Sequence, residues 1–160
     1  MNADELRQRL IRNFDEVTLE PFSRAPLYES RSARLSEGTV AKKLGASVDV
    51  MPPGKRSCPY HLHHVQEEMF IVLEGEGTLR VAGQDVPIRA GDVIHVPPGP
   101  EYPHHIVNTS DRPLKYLSIS TQEEPEICEY PDSGKYSAWA PGFQARQRRE
   151  ASLDYWEGEP

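Results

Sequence analysis

Cysteine is scarce in this chain: Cys58 and Cys128 are the only two in 160 residues, and they form no Cys-x-x-Cys pair. Two isolated thiols supply no disulfide framework and fit a reducing, cytoplasmic setting. Long apolar runs are also lacking. The longest, Met69 to Leu73, has five residues, where a membrane helix needs about 20. With a mean hydropathy of −0.65, the expectation is a soluble protein with no membrane partner. Met1-Asn2-Ala3-Asp4-Glu5 does not read as a basic segment leading into an apolar one, so no secretory signal is expected. Basic charge is in deficit, with 18 Lys and Arg against 25 Asp and Glu and a net charge of −7. Such a chain lacks the basic face that nucleic-acid phosphates require, which leaves a small molecule or another protein chain as partner. There is no Asp-x-Asp-x-Asp-Gly loop, nucleophile elbow, P-loop, dinucleotide fingerprint or internal repeat.

What is present divides the chain into three parts. In residues 1–38, Leu6, Leu10, Ile11 and Phe14 recur at helical spacing, which predicts a short helix over 4–14 with Asp4 as N-cap. Residues 18–38, with Pro21, Pro26, Gly38 and several serines, read as an arm or long loop. Residues 39–121 change character. Runs rich in Val, Ile, Leu and Thr at 44–51, 60–64, 68–73, 77–82, 85–88, 93–97, 104–107 and 114–120 alternate with Gly- and Pro-containing breaks. Many short strands at regular spacing predict an all-β sandwich or barrel, and no long helix interrupts them to make a parallel sheet. Residues 122–160 are polar and read mainly as a solvated arm. Tyr155 and Trp156, near its end, are unusual in such a tail and suit docking on the barrel or on a partner subunit.

The histidines are not spread evenly. All six lie between His61 and His105. His61 and His63 share one face of a strand, because side chains alternate with period 2. Glu68 has the opposite parity, but a bend at Val65-Gln66 resets it and puts Glu68 in phase with Phe70 and Val72. Glu67 would be in phase with Met69 and Ile71 instead. A charge beside buried apolar faces needs a partner, and a metal ion supplies one. Imidazoles with a carboxylate suit one divalent transition ion such as Mn, Fe, Ni or Zn, and such a set leaves coordination positions open for substrate or water.

At these residues the chain resembles the cupin family. Gly54, His61-x-His63, Glu68 and Gly75 follow the first cupin motif, with six residues between Gly54 and His61 where the family usually has five. Gly91, Pro97-x-Gly99, His104 and Asn108 follow the second, with two extra residues before the histidine, so that Tyr102 stands at its usual place. His-x-x-x-Asn spacing selects His104 with Asn108, and His105 is the rival. The resemblance covers roughly residues 40–120. It implies a double-stranded β-helix, or jelly-roll, barrel with a metal inside held by His61, His63, Glu68 and His104, and it suggests a homodimer. Glu129 to Gly134 and Asp154-Tyr155-Trp156 resemble a subgroup of small bacterial cupins labelled as sugar-phosphate isomerases.

Other residues carry weaker signals. Tyr60, Phe70 and Tyr102 are candidates for the pocket wall, His64 is expected to face outward, and His95 to have a structural role. Cys58 reads as a small packed residue near the site, Lys55 and Arg56 as loop bases within reach of an anionic substrate, and Gly75-x-Gly77 as a hairpin turn. Two functions stay open: a metal-dependent enzyme, isomerase or oxygenase, on a small polar metabolite such as a sugar phosphate, or a non-catalytic binding or sensor module with a metal-organised pocket. No catalytic base is assigned.

Overall fold

Strand segments set the architecture. In the computed structural model, which describes the backbone of residues 1–160 and every side chain except that of Ala151, one helix precedes thirteen strands. They are α1 (Ala3–Leu10), β1 (Glu20–Arg24), β2 (Tyr28–Arg34), β3 (Leu44–Met51), β4 (Leu62–His63), β5 (Glu68–Glu74), β6 (Glu76–Val81), β7 (Gln84–Arg89), β8 (Val93–Val96), β9 (His104–Val107), β10 (Leu114–Thr121), β11 (Glu126–Tyr130), β12 (Lys135–Ala140) and β13 (Phe143–Arg148).

All pairings between strands are antiparallel. One sheet has the order β1-β2-β3-β10-β5-β8, a second β7-β6-β9, and a third β13-β12-β11-β4. Reciprocal backbone bonds between His61 and His104, at 3.0 and 2.7 Å, join the third sheet to the second. Alternation makes the barrel: along β5, Phe70 and Val72 are buried while their neighbours are half-exposed. Between the layers lie Met51, Phe70, Val72, Leu79, Ile88, Val96, Ile106, Leu114 and Tyr116. Each such side chain, fully buried, contributes roughly 1.5–3 kcal/mol. The β6–β7 hairpin turns on Ala82 and Gly83, with φ of 50° and 75°, the pair of positive values a tight two-residue turn requires.

Asn108 closes one end of the barrel. Fully buried, its amide donates to the carbonyls of Met51 (2.9 Å) and Arg112 (2.7 Å), and its oxygen accepts from the Ser110 N–H and hydroxyl.

Several expectations need correction. The helix is shorter than 4–14, and Asn2, not Asp4, caps it: Asn2 and Glu5 bond each other's backbone N–H in a capping box. The arm expected over 18–38 contains the β1–β2 hairpin, whose second strand pairs with β3. The solvated tail expected over 122–160 contains β11, β12 and β13. Tyr155 and Trp156 are exposed and stack edge-to-face on each other at 4.8 Å. Gly75-x-Gly77 is no hairpin turn. It is the corner at which the chain leaves the sheet of β5 and enters that of β6.

Candidate metal centre

Three separate segments bring the histidines and the acid together. A bend does restore the parity of Glu68, at His64-Val65 and not at the expected Val65-Gln66, and its cause is a carboxylate. Glu126 at the start of β11, with no exposure at all, accepts the N–H groups of His64 (2.8 Å), Val65 (3.1 Å) and Gln66 (2.6 Å). With the bend pinned, β4 and β5 present His63 and Glu68 to the same interior.

His61, Glu68 and His104 converge, with one ligand atom from each within 4.8 Å of the others. His104 Nε2 stands 3.0 Å from Glu68 Oε2, and His61 Nε2 stands 3.6 Å from the same oxygen. His63 stands beside the group: its Nε2 is also 3.6 Å from Oε2, its ring is edge-on to that of His61 at 5.1 Å, and its Nδ1 lies 3.8 Å from Glu126. The tautomers are dictated by the backbone. His61 Nδ1 faces the Pro59 carbonyl at 2.9 Å and His104 Nδ1 the Tyr102 carbonyl at 3.1 Å. A carbonyl only accepts, so each Nδ1 carries a proton and each Nε2 is the atom turned to the Glu68 carboxylate.

Imidazole Nε2 atoms facing a carboxylate in a closed interior need positive charge, from a proton on the nitrogen or from a metal ion that takes its place. Glu68 Oε2 and His104 Nε2 are buried without a hydrogen-bond partner, as is His63 Nδ1. Burial opposes ionisation of Glu68, yet the contacts with His104 and His61 outweigh it and hold the carboxyl far below the usual carboxylate range. His61 is driven the other way: burial lowers its pKa, but Cys58, 3.9 Å from Nδ1, and Glu68 raise it well above the usual imidazole value. Both shifts express a site short of positive charge, and neutral nitrogen donors with one carboxylate are the donor set of a divalent transition ion.

The remaining candidates separate by face. His105 is buried on the opposite side of β9, its ring edge-on to Tyr60 at 5.4 Å. Burial, then the neighbouring Arg56 and Arg80 guanidinium groups, lower its pKa to about 4. His64 points outward to Glu129 at 2.8 Å. His95 is exposed rather than structural. Tyr60 is buried and accepts the Gly83 N–H at 3.0 Å, with the Arg80 guanidinium 3.8 Å over its ring. Phe70 packs in the core, 5.6 Å from the His104 ring. Tyr102 is exposed and contributes its carbonyl rather than a wall. Lys55 pairs with Glu29 at 3.6 Å and donates to the Pro26 carbonyl at 2.9 Å. Three residues were missed from sequence: Glu126, Tyr130, whose ring is 6.4 Å from that of His61, and Trp139, 6.4 Å from His63. Their strands carry polar and aromatic inner faces with no aliphatic stripe, so nothing local singled them out.

Comparison with known proteins agrees with this architecture. A family model described as a Cupin domain matches residues 47–120. An oxalate-binding protein of Thermotoga maritima is 39% identical over 69 residues, 43% of this chain and 54% of that protein. The chain spans 54% to 65% of the length of the curated relatives it matches. Among solved structures, a sugar phosphate isomerase from a cupin superfamily of Silicibacter pomeroyi superposes with a TM-score of 0.77 at 25% identity, covering 89% of this chain and 96% of that one. A predicted oxalate decarboxylase of Thermotoga maritima gives 0.60 at 28%, covering 71% and 100%. Two-layer barrel, both sequence motifs and the family match coincide over the same residues: residues 47–120 are similar to the Cupin domain, and the fold is that of the cupin jelly roll.

Proposed function

We propose that this cupin-fold protein is a metal-dependent enzyme acting on a small polar metabolite of the sugar-phosphate class, with His61, His63, Glu68 and His104 holding one divalent transition ion. The convergence of His61, Glu68 and His104 within 4.8 Å carries the reading. His61 and His104 are oriented by carbonyls, so their Nε2 atoms are presented without rearrangement. Glu68 supplies the anionic ligand, and Glu126 fixes the segment that carries His63. A divalent ion bound there supplies Lewis acidity toward a substrate oxygen at its open positions. Tyr130 and Trp139 flank the histidine rings at 6.4 Å.

The Silicibacter pomeroyi protein supports the substrate class because the likeness runs through 89% of this chain. The Thermotoga maritima decarboxylase structure, used in full, accounts for only 71%. A second reading, a non-catalytic small-molecule binding module, is favoured by the relative named for binding oxalate.

Elemental analysis of untagged protein tests the site. About one transition ion per chain is expected, and His61→Ala with His63→Ala should abolish it. His104→Ala, which removes a ligand, should weaken metal binding by more than the about 10–100-fold typical of a residue that only supports one, and His105→Ala much less. Full metal content in the double variant, or equal losses at 104 and 105, would reject the assignment. Interconversion of aldose and ketose phosphates by the loaded protein, followed by proton NMR, separates enzyme from binding module.

A further inference from the structure

The inner face of the C-terminal sheet gathers side chains that the metal centre does not use. Antiparallel register places His63, Cys128, Ser137 and Arg146 in one row across β4, β11, β12 and β13. Tyr130, Lys135 and Trp139 stand two residues from that row, so they share its face. This is the face turned toward the histidines, as the contacts of Tyr130 with His61 and Trp139 with His63 show. Two clefts meet there at Tyr130 and Arg146. One, of 760 Å³, is bounded also by Arg24, Tyr60 and Lys135, and the other, of 630 Å³, runs along Trp139.

The charge of the larger cleft runs against that of the chain. In a protein of net charge −7 it collects Arg24, Lys135 and Arg146 around one carboxylate, Asp132. Asp132 is already engaged, gripped by both terminal nitrogens of Arg80 at 2.6 and 2.9 Å. Among the described residues, none of the three cleft bases pairs with a carboxylate. Arg146 is held in place, its Nε donating to the buried Ser137 hydroxyl at 2.8 Å. Its two terminal NH₂ groups remain for a ligand, in the planar fork that suits phosphate oxygens. Lys135 Nζ lies 4.9 Å from the Tyr130 ring centroid.

We propose that Arg146, with Lys135 and Arg24, binds the phosphate of a phosphorylated sugar whose other end reaches the histidine centre, with Tyr130 and Trp139 lining the carbon chain between. This rests on the metal-dependent reading above and names its substrate-binding residues. Strands are spaced about 4.8 Å apart, so β12 lies roughly 10 Å from β4. A small sugar with a terminal phosphate spans such a gap, whereas a two-carbon dicarboxylate such as oxalate does not. Every residue of this subsite lies outside 47–120, the reach of the family match. The shared barrel therefore provides the metal ligands, and the flanking hairpin and C-terminal sheet select the substrate.

Isothermal titration tests this with ribose 5-phosphate, glucose 6-phosphate and fructose 6-phosphate, each against its unphosphorylated sugar, and with oxalate. For metal-loaded wild type, at least one phosphate ester should bind about tenfold or more tightly than its sugar, the scale of charge-assisted hydrogen bonds. Arg146→Gln with Lys135→Gln should erase that preference without changing metal content or the strand signal in circular dichroism. Arg146→Lys should retain part of it, and the distant Arg112→Gln all of it. A double variant that keeps the preference overturns the inference, as does wild-type protein with no preference for phosphate esters. Metal content in the same samples tests the other reading independently. Chelated protein that still shows Arg146-dependent phosphate binding would uphold the subsite whatever the metal content shows.

Discussion

At the scale of single residues, Glu126 decides more than its distance from the histidines in sequence suggests. A fully buried carboxylate is costly unless its oxygens are satisfied, and here three successive backbone N–H groups satisfy them. Those N–H groups belong to the bend that lets His63 and Glu68 share a face. Glu126→Ala should therefore destabilise the metal-free protein by about 2–4 kcal/mol, since it strands buried donors. It should also weaken metal binding about 10–100-fold by releasing the strand of His63. Glu126→Gln, which keeps an acceptor, should cost less on both counts. Urea unfolding and metal titration measure the two effects, and an alanine variant within about 0.5 kcal/mol of wild type, the range of an ordinary surface change, would remove Glu126 from this role. The ligands themselves could be read from spacing, because His-x-His fixes a shared face whatever surrounds it. Glu126 could not: it is one of 25 acids, and nothing local distinguishes the buried one.

At the scale of elements, the barrel depends on the chain leaving one sheet and entering the next without a loop. Gly75 makes that corner between β5 and β6 with φ of 82°, and a Cβ added there would meet the Pro113 carbonyl oxygen at 2.5 Å. Gly83, at a φ of 75°, has open space instead. The two glycines thus separate backbone strain from collision. Gly83→Ala should cost about 1–2 kcal/mol for the left-handed conformation alone, and Gly75→Ala should exceed it by at least about 1 kcal/mol, because backbone at Pro113 has to move. Thermal unfolding of the two variants makes the comparison, and equal losses would show that the corner tolerates a side chain. Strands such as β3 and β9 were legible to the residue, because short runs with Val, Ile and Leu between turn-forming breaks mark a strand. β1 was not. Its sequence, Glu-Pro-Phe-Ser-Arg, is exposed throughout, so no buried face imprints a period on it. β11 to β13 were obscured by the same cause, their inner faces carrying Glu126, Ser137, Arg146 and aromatics in place of an aliphatic stripe.

At the scale of the whole molecule, the centre joins parts that the backbone holds only loosely. His61 and His63 belong to the edge where the third sheet meets the second, His104 to β9 of the second, and Glu68 to β5 of the first. Without a metal ion, the Glu68 carboxylate is balanced by protons on imidazole, as the raised pKa of His61 reflects. An ion bound by all three segments therefore acts as a cross-link on the folded state and has no equivalent site in the unfolded chain. Mass action gives the size of the effect: at a free ion concentration about 100 times the dissociation constant, binding adds about 2.7 kcal/mol. For a chain of this length, each kcal/mol moves the midpoint by about 2–4 °C. Calorimetry of chelated protein should accordingly show Tm rising by about 5–10 °C on addition of manganese or zinc, with little change from the same concentration of magnesium, which prefers oxygen donors and keeps its water. The His61→Ala, His63→Ala variant should not respond. A variant that gains as much as wild type would mean that the ion stabilises the protein from somewhere other than the barrel interior, and the convergence of these side chains would then need another explanation.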